Sequence, residues 1–152
     1  GDSHQGFVDV TTTWQDIELE PYRNLIRAGL ADSIMTAHIF NANLDPQYPA
    51  TLSKKIITGI LRAQLGYDGV VISDDMQMGA IRQYFGFEQA IELAINAGVD
   101  ILAIANNLVY EPDVAIRAVN IIRQLVNDGK ISEQRIDESY QRIMRLKAKI
   151  KS

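Results

Sequence analysis

The sequence predicts an α/β fold built from parallel βαβ units. Strand-like runs and helix-period segments alternate along the chain, and the strand-like runs are apolar without interruption, the pattern of strands buried on both faces. Polar residues are also gathered where those runs stop: His38, Asp74 with Asp75, and Asn106 with Asn107. In parallel α/β folds ligands meet the carboxyl ends of the strands, so these residues are expected on one face.

The elements follow in order. "TTTWQDIELEPYRNLIRAGL" reads as helical, with Pro21 forcing a restart that suits a first-turn position. "SIMTAHIF", Ser33 to Phe40, is the first strand. The helix after it begins at the capping candidate Ser53 and carries Ile56, Ile57, Ile60 and Leu61 on one face. The second strand runs from Gly69 to Ser73. Helical segments follow around Met78–Phe85 and Glu88–Ala97, the latter stopped by Gly98. "VDILAIAN", Val99 to Asn106, is the third strand, and its helix turns Val114, Ala118, Ile122 and Leu125 inward. A last helix starts near Ser132 and presents Ile136, Tyr140, Ile143, Met144 and Ile150.

With 152 residues the chain is sized for one domain with a real core. A formal net charge of -4 and a pI near 5.1 give no nucleic-acid footprint. The lack of cysteine excludes disulfides, thiolate metal sites and a cysteine nucleophile. No apolar run approaches the ~20 residues of a membrane helix. "GDSHQGFVDV" has neither an apolar signal core nor an initiator methionine, and it reads as a cut made inside a longer chain.

The adjacent carboxylates Asp74 and Asp75 end the most hydrophobic strand. One aspartate there is explained by capping of the next helix, but adjacent side chains diverge, so capping does not account for both. Asp75 is the better candidate for holding the turn, and Asp74 for pointing into the crevice. In "DSH", Asp2-Ser3-His4, a carboxylate two residues before an imidazole can fix its tautomer and leave the other nitrogen to exchange a proton near neutral pH; the same motif also occurs in solvated loops. His38, Met78 and Asn106 are the candidates for substrate contact. Each has a plain alternative: a structural strand-end histidine, methionine packing alongside Met76, and turn formation by Asn106 and Asn107. Arg142, Arg145, Lys147, Lys149 and Lys151 crowd the end of the last helix, which reads as a solvated face suited to the helix dipole.

"GYDGVVISDDMQMGAI", Gly66 to Ile81, resembles the nucleophile segment of family 3 glycoside hydrolases. "GDSHQGFVDVTTTW", "IMTAHIF", "YPATLS" and "AINAGVDILAIANN" fit the same family in the same order, over essentially the whole chain. The chain is most similar to the bacterial β-N-acetylglucosaminidase (β-hexosaminidase) branch. The resemblance implies a retaining mechanism with Asp74 as nucleophile, His4 as general acid/base and Asp2 orienting His4, with no metal and no cofactor. It implies a carbohydrate substrate ending in β-linked N-acetylglucosamine, as in peptidoglycan or chitin turnover, and no nucleic-acid or membrane partner. The compartment stays open between bacterial cytoplasm and periplasm or secretion.

The family's K-H-F-P-G-H-G segment, expected just before Gly1, is absent. A (β/α)8 barrel takes about 250 residues. Residues 1–152 are therefore expected to be a partial catalytic domain: the loop after strand five, then about three βα units that end the barrel. Such a piece is expected to be inactive alone and to associate with the N-terminal part of the barrel or with itself. Two rival readings stand beside this one: a receiver-like or Mg²⁺-binding α/β module, and an inert barrel fragment that folds only on association.

Overall fold

The computed structural model describes residues 1–3, 5–107 and 110–150. Four short strands, β1 (Val8–Asp9), β2 (Ser33–Met35), β3 (Ile39–Phe40) and β4 (Val70–Ile72), form two parallel pairs. β2 lies beside β4 with Ser33 opposite Val70 and Met35 opposite Ile72, while β1 lies beside β3 with Val8 opposite Ile39. The segment after Gly98 adds a third parallel member next to β4 through the bridge Ile72–Ile101. Helix-period sequence separates consecutive members of this ribbon, so the α/β expectation holds.

Two of the expected strands are shorter in the fold. Ser33 to Phe40 is split into β2 and β3, which have different partners; between them, the side chains of Thr36 and His38 turn into hydrogen bonds with Thr51. Val99 to Asn106 contributes one bridge, and side chains replace part of its backbone ladder. Asp100 accepts the Val71 N–H (2.9 Å), and Ser73 Oγ accepts the Ala103 N–H (2.9 Å).

The first helical stretch begins late. Thr11 spends its N–H on the Asp9 carboxylate (2.8 Å), a local bond that competes with helix formation. A 3₁₀ turn (Asp16–Leu19) then leads into α1 (Glu20–Arg27), with Pro21 in its first turn. The next helix, Lys55–Gln64, is wound as a π-helix, and its last turn is closed by the Leu65 N–H reaching back five residues to Ile60 (2.9 Å). Ser53 Oγ accepts the Ile56 N–H (3.1 Å), as a capping serine should.

α2 (Gly79–Arg82) and α3 (Phe87–Ala97) follow β4, and Gly98, at φ 122°, ends α3. Ala90, Ala94 and Ala97 bring α3 against the ribbon residues Val71 and Val99. Ile91 and Ile95 face Ala118 and Leu125 of α4 (Val114–Asn127). Small residues on one stripe and branched ones on the next let α3 sit between two layers, each closely packed.

α5 (Glu133–Ile150) departs from expectation. It buries no residue fully, and Tyr140, expected inward, is 62% exposed. Its docking stripe is Arg135, Ser139 and Arg142, a helical period written in polar residues. Ser139 Oγ donates to Asp100 (2.6 Å), and Arg142 reaches both Asp100 (3.2 Å) and Asp68 (3.3 Å). The expected solvated basic face is therefore partly an anchor: Arg145 pairs with Asp68 (3.0 Å) and Lys149 with Asp32 (2.8 Å). Lys151 lies outside the described residues.

Asp100 collects the elements at the amino ends of the strands. Arg62, from the π-helix, donates to Asp100 (2.8 Å) and to the Gly69 and Gly98 carbonyls. Arg135 donates to the Ile95 and Val99 carbonyls (2.8 Å each). Burial alone would push the Asp100 carboxyl up. The Ser139 hydroxyl, the Val71 N–H and the Arg62 and Arg142 guanidiniums outweigh burial and hold it below the ordinary carboxylate range. Removing the charge leaves buried guanidiniums uncompensated, so Asp100→Asn is expected to cost about 3–5 kcal/mol in denaturant unfolding at neutral pH. A carboxyl with a lowered folded pKa stabilises above its unfolded value of about 4 and loses that contribution as pH falls through the folded value. The stability curves of Asp100→Asn and the unsubstituted chain should therefore converge below about pH 4; parallel curves would contradict this role.

Candidate active site

The site is built where β4 stops. Val70 and Val71 are sealed between the ribbon's neighbours, and the chain then turns at Ser73, Asp74 and Asp75. The turn interleaves with the segment after Ile101. The Ser73 N–H donates to the Ile101 carbonyl (2.9 Å), and the Met76 N–H donates to the Ala103 carbonyl (2.9 Å). Asp75 Oδ1 accepts the N–H groups of Gln77 (3.1 Å) and Ala105 (3.0 Å). One oxygen of Asp75 thus closes its own turn and fastens the neighbouring segment, which accounts for the second carboxylate of the pair.

Asp74 is half-buried, and its Oδ1 accepts the Asp75 N–H (2.8 Å). Among the described residues no cationic side chain forms an ion pair with it. Its bond, among the described residues, is to that one amide.

His38 braces this turn from below. It is 1% exposed, and its Nε2 lies 2.7 Å from the Asp75 carbonyl, which can only accept, so Nε2 carries the proton. In the neutral ring Nδ1 then accepts from the Thr51 hydroxyl (2.9 Å), and Thr51 in turn stands 2.8 Å from Thr36 Oγ1. Thr36, Thr51, His38 and the Asp75 carbonyl form one buried relay from β2 to the turn. Thr51 sits beside Ser53, which donates to the buried Asp45 (2.6 Å); Asp45 Oδ1 also accepts the Gln47 (2.9 Å) and Tyr48 (3.3 Å) N–H groups.

Two of the expected substrate contacts have no open surface. Met78 is 1% exposed and His38 equally so; both lie under the site rather than in its mouth. Asn106 has a left-handed backbone, φ 55°, and its amide clamps the Glu111 backbone, accepting its N–H (2.8 Å) and donating to its carbonyl (2.9 Å). Its own N–H donates to buried Gln77 Oε1 (2.9 Å). Its described bonds are those of a loop holder. Thr36, Thr51, Asp45 and Gln77 were missed from sequence; the signal was a set of polar side chains among apolar neighbours close after a strand.

The amino-terminal segment reaches the same face. The Asp2 carbonyl accepts the N–H groups of Gln5 (3.1 Å) and Gly6 (3.3 Å), and the Ser3 carbonyl accepts the Ala80 N–H at the start of α2 (3.4 Å). β1 then pairs with β3, directly after His38. Asp2 and Ser3 are thereby brought to the element that follows the Asp74 turn. His4 lies outside the described residues. Thr51→Val keeps the shape and removes the hydroxyl that His38 Nδ1 and the part-buried Thr36 Oγ1 share. Denaturant unfolding should show a loss of about 1–3 kcal/mol, and a cost near zero would mean that the relay carries no stability.

The comparisons with known proteins agree with this arrangement. The sequence model described as "Glycosyl hydrolase family 3 N terminal domain" matches residues 1–146. The chain is 38% identical over 109 residues to a beta-hexosaminidase of Tolumonas auensis, covering 70% of this chain and 32% of that protein. It is 32% identical over 166 residues to beta-hexosaminidase A of Pseudoalteromonas piscicida, covering 98% of this chain and 28% of that one. Among solved structures, it is similar to the family 3 beta-N-acetylglucosaminidase of Paenibacillus sp. str. FPU-7, with TM-score 0.84 and 34% identity over 97% of this chain and 28% of the other. CbsA of Thermotoga neapolitana gives TM-score 0.86 at 31% identity, covering 97% of this chain and 34% of that one. The chain therefore spans about a third of the length of these relatives. The receiver-like alternative gives way to these matches, and the ribbon and its helices are βα units of a TIM-type barrel. The chain belongs to glycosyl hydrolase family 3.

Proposed function

We propose that the whole protein is a retaining glycoside hydrolase that releases terminal β-linked N-acetylglucosamine, with Asp74 as its nucleophile. The observation that carries this is the division of labour at the end of β4: Asp75 is committed to the turn, while Asp74 is half-buried and bonded only to the next amide among the described residues. The names of the relatives, beta-hexosaminidase and beta-N-acetylglucosaminidase, support the substrate class.

In the first step the Asp74 carboxylate attacks the anomeric carbon, the glycosidic bond breaks, and the leaving oxygen takes a proton from His4. In the second, His4 takes a proton from water, the water oxygen attacks the anomeric carbon, and Asp74 departs as carboxylate. Two carboxyl groups usually share this work; here imidazole replaces the acid, and its pKa near neutrality suits both directions of transfer. Asp2 orients the imidazole and supports its positive charge.

This chemistry needs the rest of the barrel. β2 leaves one edge without a strand partner among the described residues, and an apolar cavity of about 220 Å³ opens beside it, lined by Trp14, Tyr22, Ile34 and Leu61 among others. The N-terminal part of the barrel fits that edge, in keeping with the fraction of the relatives that this chain spans. The chain by itself should be inactive on a chromogenic N-acetylglucosaminide and gain activity when joined to that part. In the whole protein Asp74→Ala should lower kcat by several orders of magnitude, whereas Asp75→Ala should mainly lower the unfolding midpoint. Equal losses of activity in two folded variants would overturn the assignment, and so would full activity from the isolated chain.

A further inference from the structure

We propose that Asn41 is the residue that reads the N-terminal part of the barrel: its side-chain amide donates to an oxygen on the segment that lies along the open edge of β2. The inference rests on the proposal that the N-terminal part covers that edge, and deepens it by naming the polar contact the covering segment makes. Asn41 heads a turn. Its carbonyl accepts the N–H groups of Leu44 (3.0 Å) and Asp45 (2.9 Å), and its Oδ1 accepts the Asn43 N–H (3.0 Å). That last bond fixes the orientation of the side chain, because Nδ2 cannot accept an N–H. Nδ2 therefore points the other way. There it meets no acceptor among the described residues, although Asn41 is 4% exposed. Turn formation accounts for the oxygen of this amide and not for the burial of its two donors, and a buried donor is costly to leave unpaired.

Asn41 borders the apolar cavity of about 220 Å³ beside β2, with Trp14, Ile34 and Ile39 among its neighbours. No charged side chain lines that cavity, and Thr36, which also borders it, is engaged with Thr51. The group that fills the cavity is thus uncharged and apolar, and carries an acceptor oxygen. The edge of β2 selects a strand over a small molecule. β2 is paired with β4 on one side, and its other edge has no strand partner among the described residues. Only a second backbone satisfies such an edge. Met35 of β2 and Tyr22 of α1 line the cavity and are 64% and 48% exposed, so the apolar surface continues outward from it. A strand laid there covers both residues, and its carbonyls supply the acceptor at regular intervals. The relatives, of which this chain spans about a third, contain enough further sequence to provide one. A slip of one residue turns a carbonyl away from Nδ2 and exchanges the strand's inward and outward side chains, so Asn41 also helps to set the register.

A crystal structure of the whole protein tests this directly. An oxygen of the N-terminal part should lie about 2.9 Å from Asn41 Nδ2, with a strand paired to the open edge of β2. A solvent molecule, a small ligand, a second copy of the protein or a residue of this chain in that place would overturn the proposal. Asn41→Asp supplies a second reading, because it keeps the acceptor for the Asn43 N–H and puts an acceptor where the donor was. Hydrogen exchange at the amides of Ser33–Met35 should quicken about tenfold or more in this variant while α3 stays protected; unaltered exchange at those amides would overturn the proposal. Should the variant fail to fold, the contact in the unsubstituted protein decides. If the contact is present and the whole protein cleaves no N-acetylglucosaminide, the glycosidase reading fails and the role of Asn41 stands.

Discussion

Everything near the site depends on how the segment from Asp100 to Ala105 is fastened to β4. A regular parallel ladder would use backbone groups throughout. Here Asp100 accepts from Val71, Ser73 from Ala103, and Asp75 from Ala105, so side-chain oxygens take the place of carbonyls at both ends of the strand. A backbone ladder constrains two strands equally along their length. Side-chain acceptors instead alternate with the backbone bonds from Ser73 to Ile101 and from Met76 to Ala103, so the turn that carries Asp74 is fastened to the neighbouring segment at several points.

The two ends of β4 have opposite electrostatic characters. At the amino end, Asp100 is enclosed by Arg62, Arg135, Arg142 and Ser139, and the arrangement is rigid because each guanidinium also donates to another acceptor, such as the Gly69 or Val99 carbonyl or the Asp68 carboxylate. At the carboxyl end, among the described residues, the Asp74 and Asp75 carboxylates accept backbone amides and form no ion pair, while His38 meets the Asp75 carbonyl. Charge compensation secures one end and leaves the other chemically available. Stability and catalysis are divided in the same way on barrel enzymes generally, with chemistry at the carboxyl ends of the strands.

Much of the fold was legible because the apolar pattern is direct evidence of burial. The strand of Val70 to Ile72, the α3 segment ending at Gly98 and the inward residues Val114, Ala118 and Leu125 all stand where periodicity places them. The helix cap at Ser53 was legible from side-chain chemistry. The failures share a cause. α5 docks through Arg135, Ser139 and Arg142, whose spacing is helical but whose chemistry is that of a surface, and their partner Asp100 lies far off in sequence. The shortening of the third strand needs the knowledge that Ser73 and Asp75 aim their oxygens sideways. His38 was read as lining the face at the strand ends but lies buried, since position along a strand fixes its end and not what covers it, and Met78 is buried as well. Asp74 itself drew attention because two adjacent carboxylates are one more than a turn requires, and because its segment resembles a nucleophile segment of the family.

The central claim is that Asp74, and not its neighbour, forms the bond to sugar. Acid-quenching the whole protein during turnover of an N-acetylglucosaminide with a very good leaving group, then fragmenting its peptides in the mass spectrometer, tests this directly. The account predicts an N-acetylhexosamine mass on Asp74. The same mass on Asp75, or a product of inverted anomeric configuration with no adduct on any residue, would contradict it.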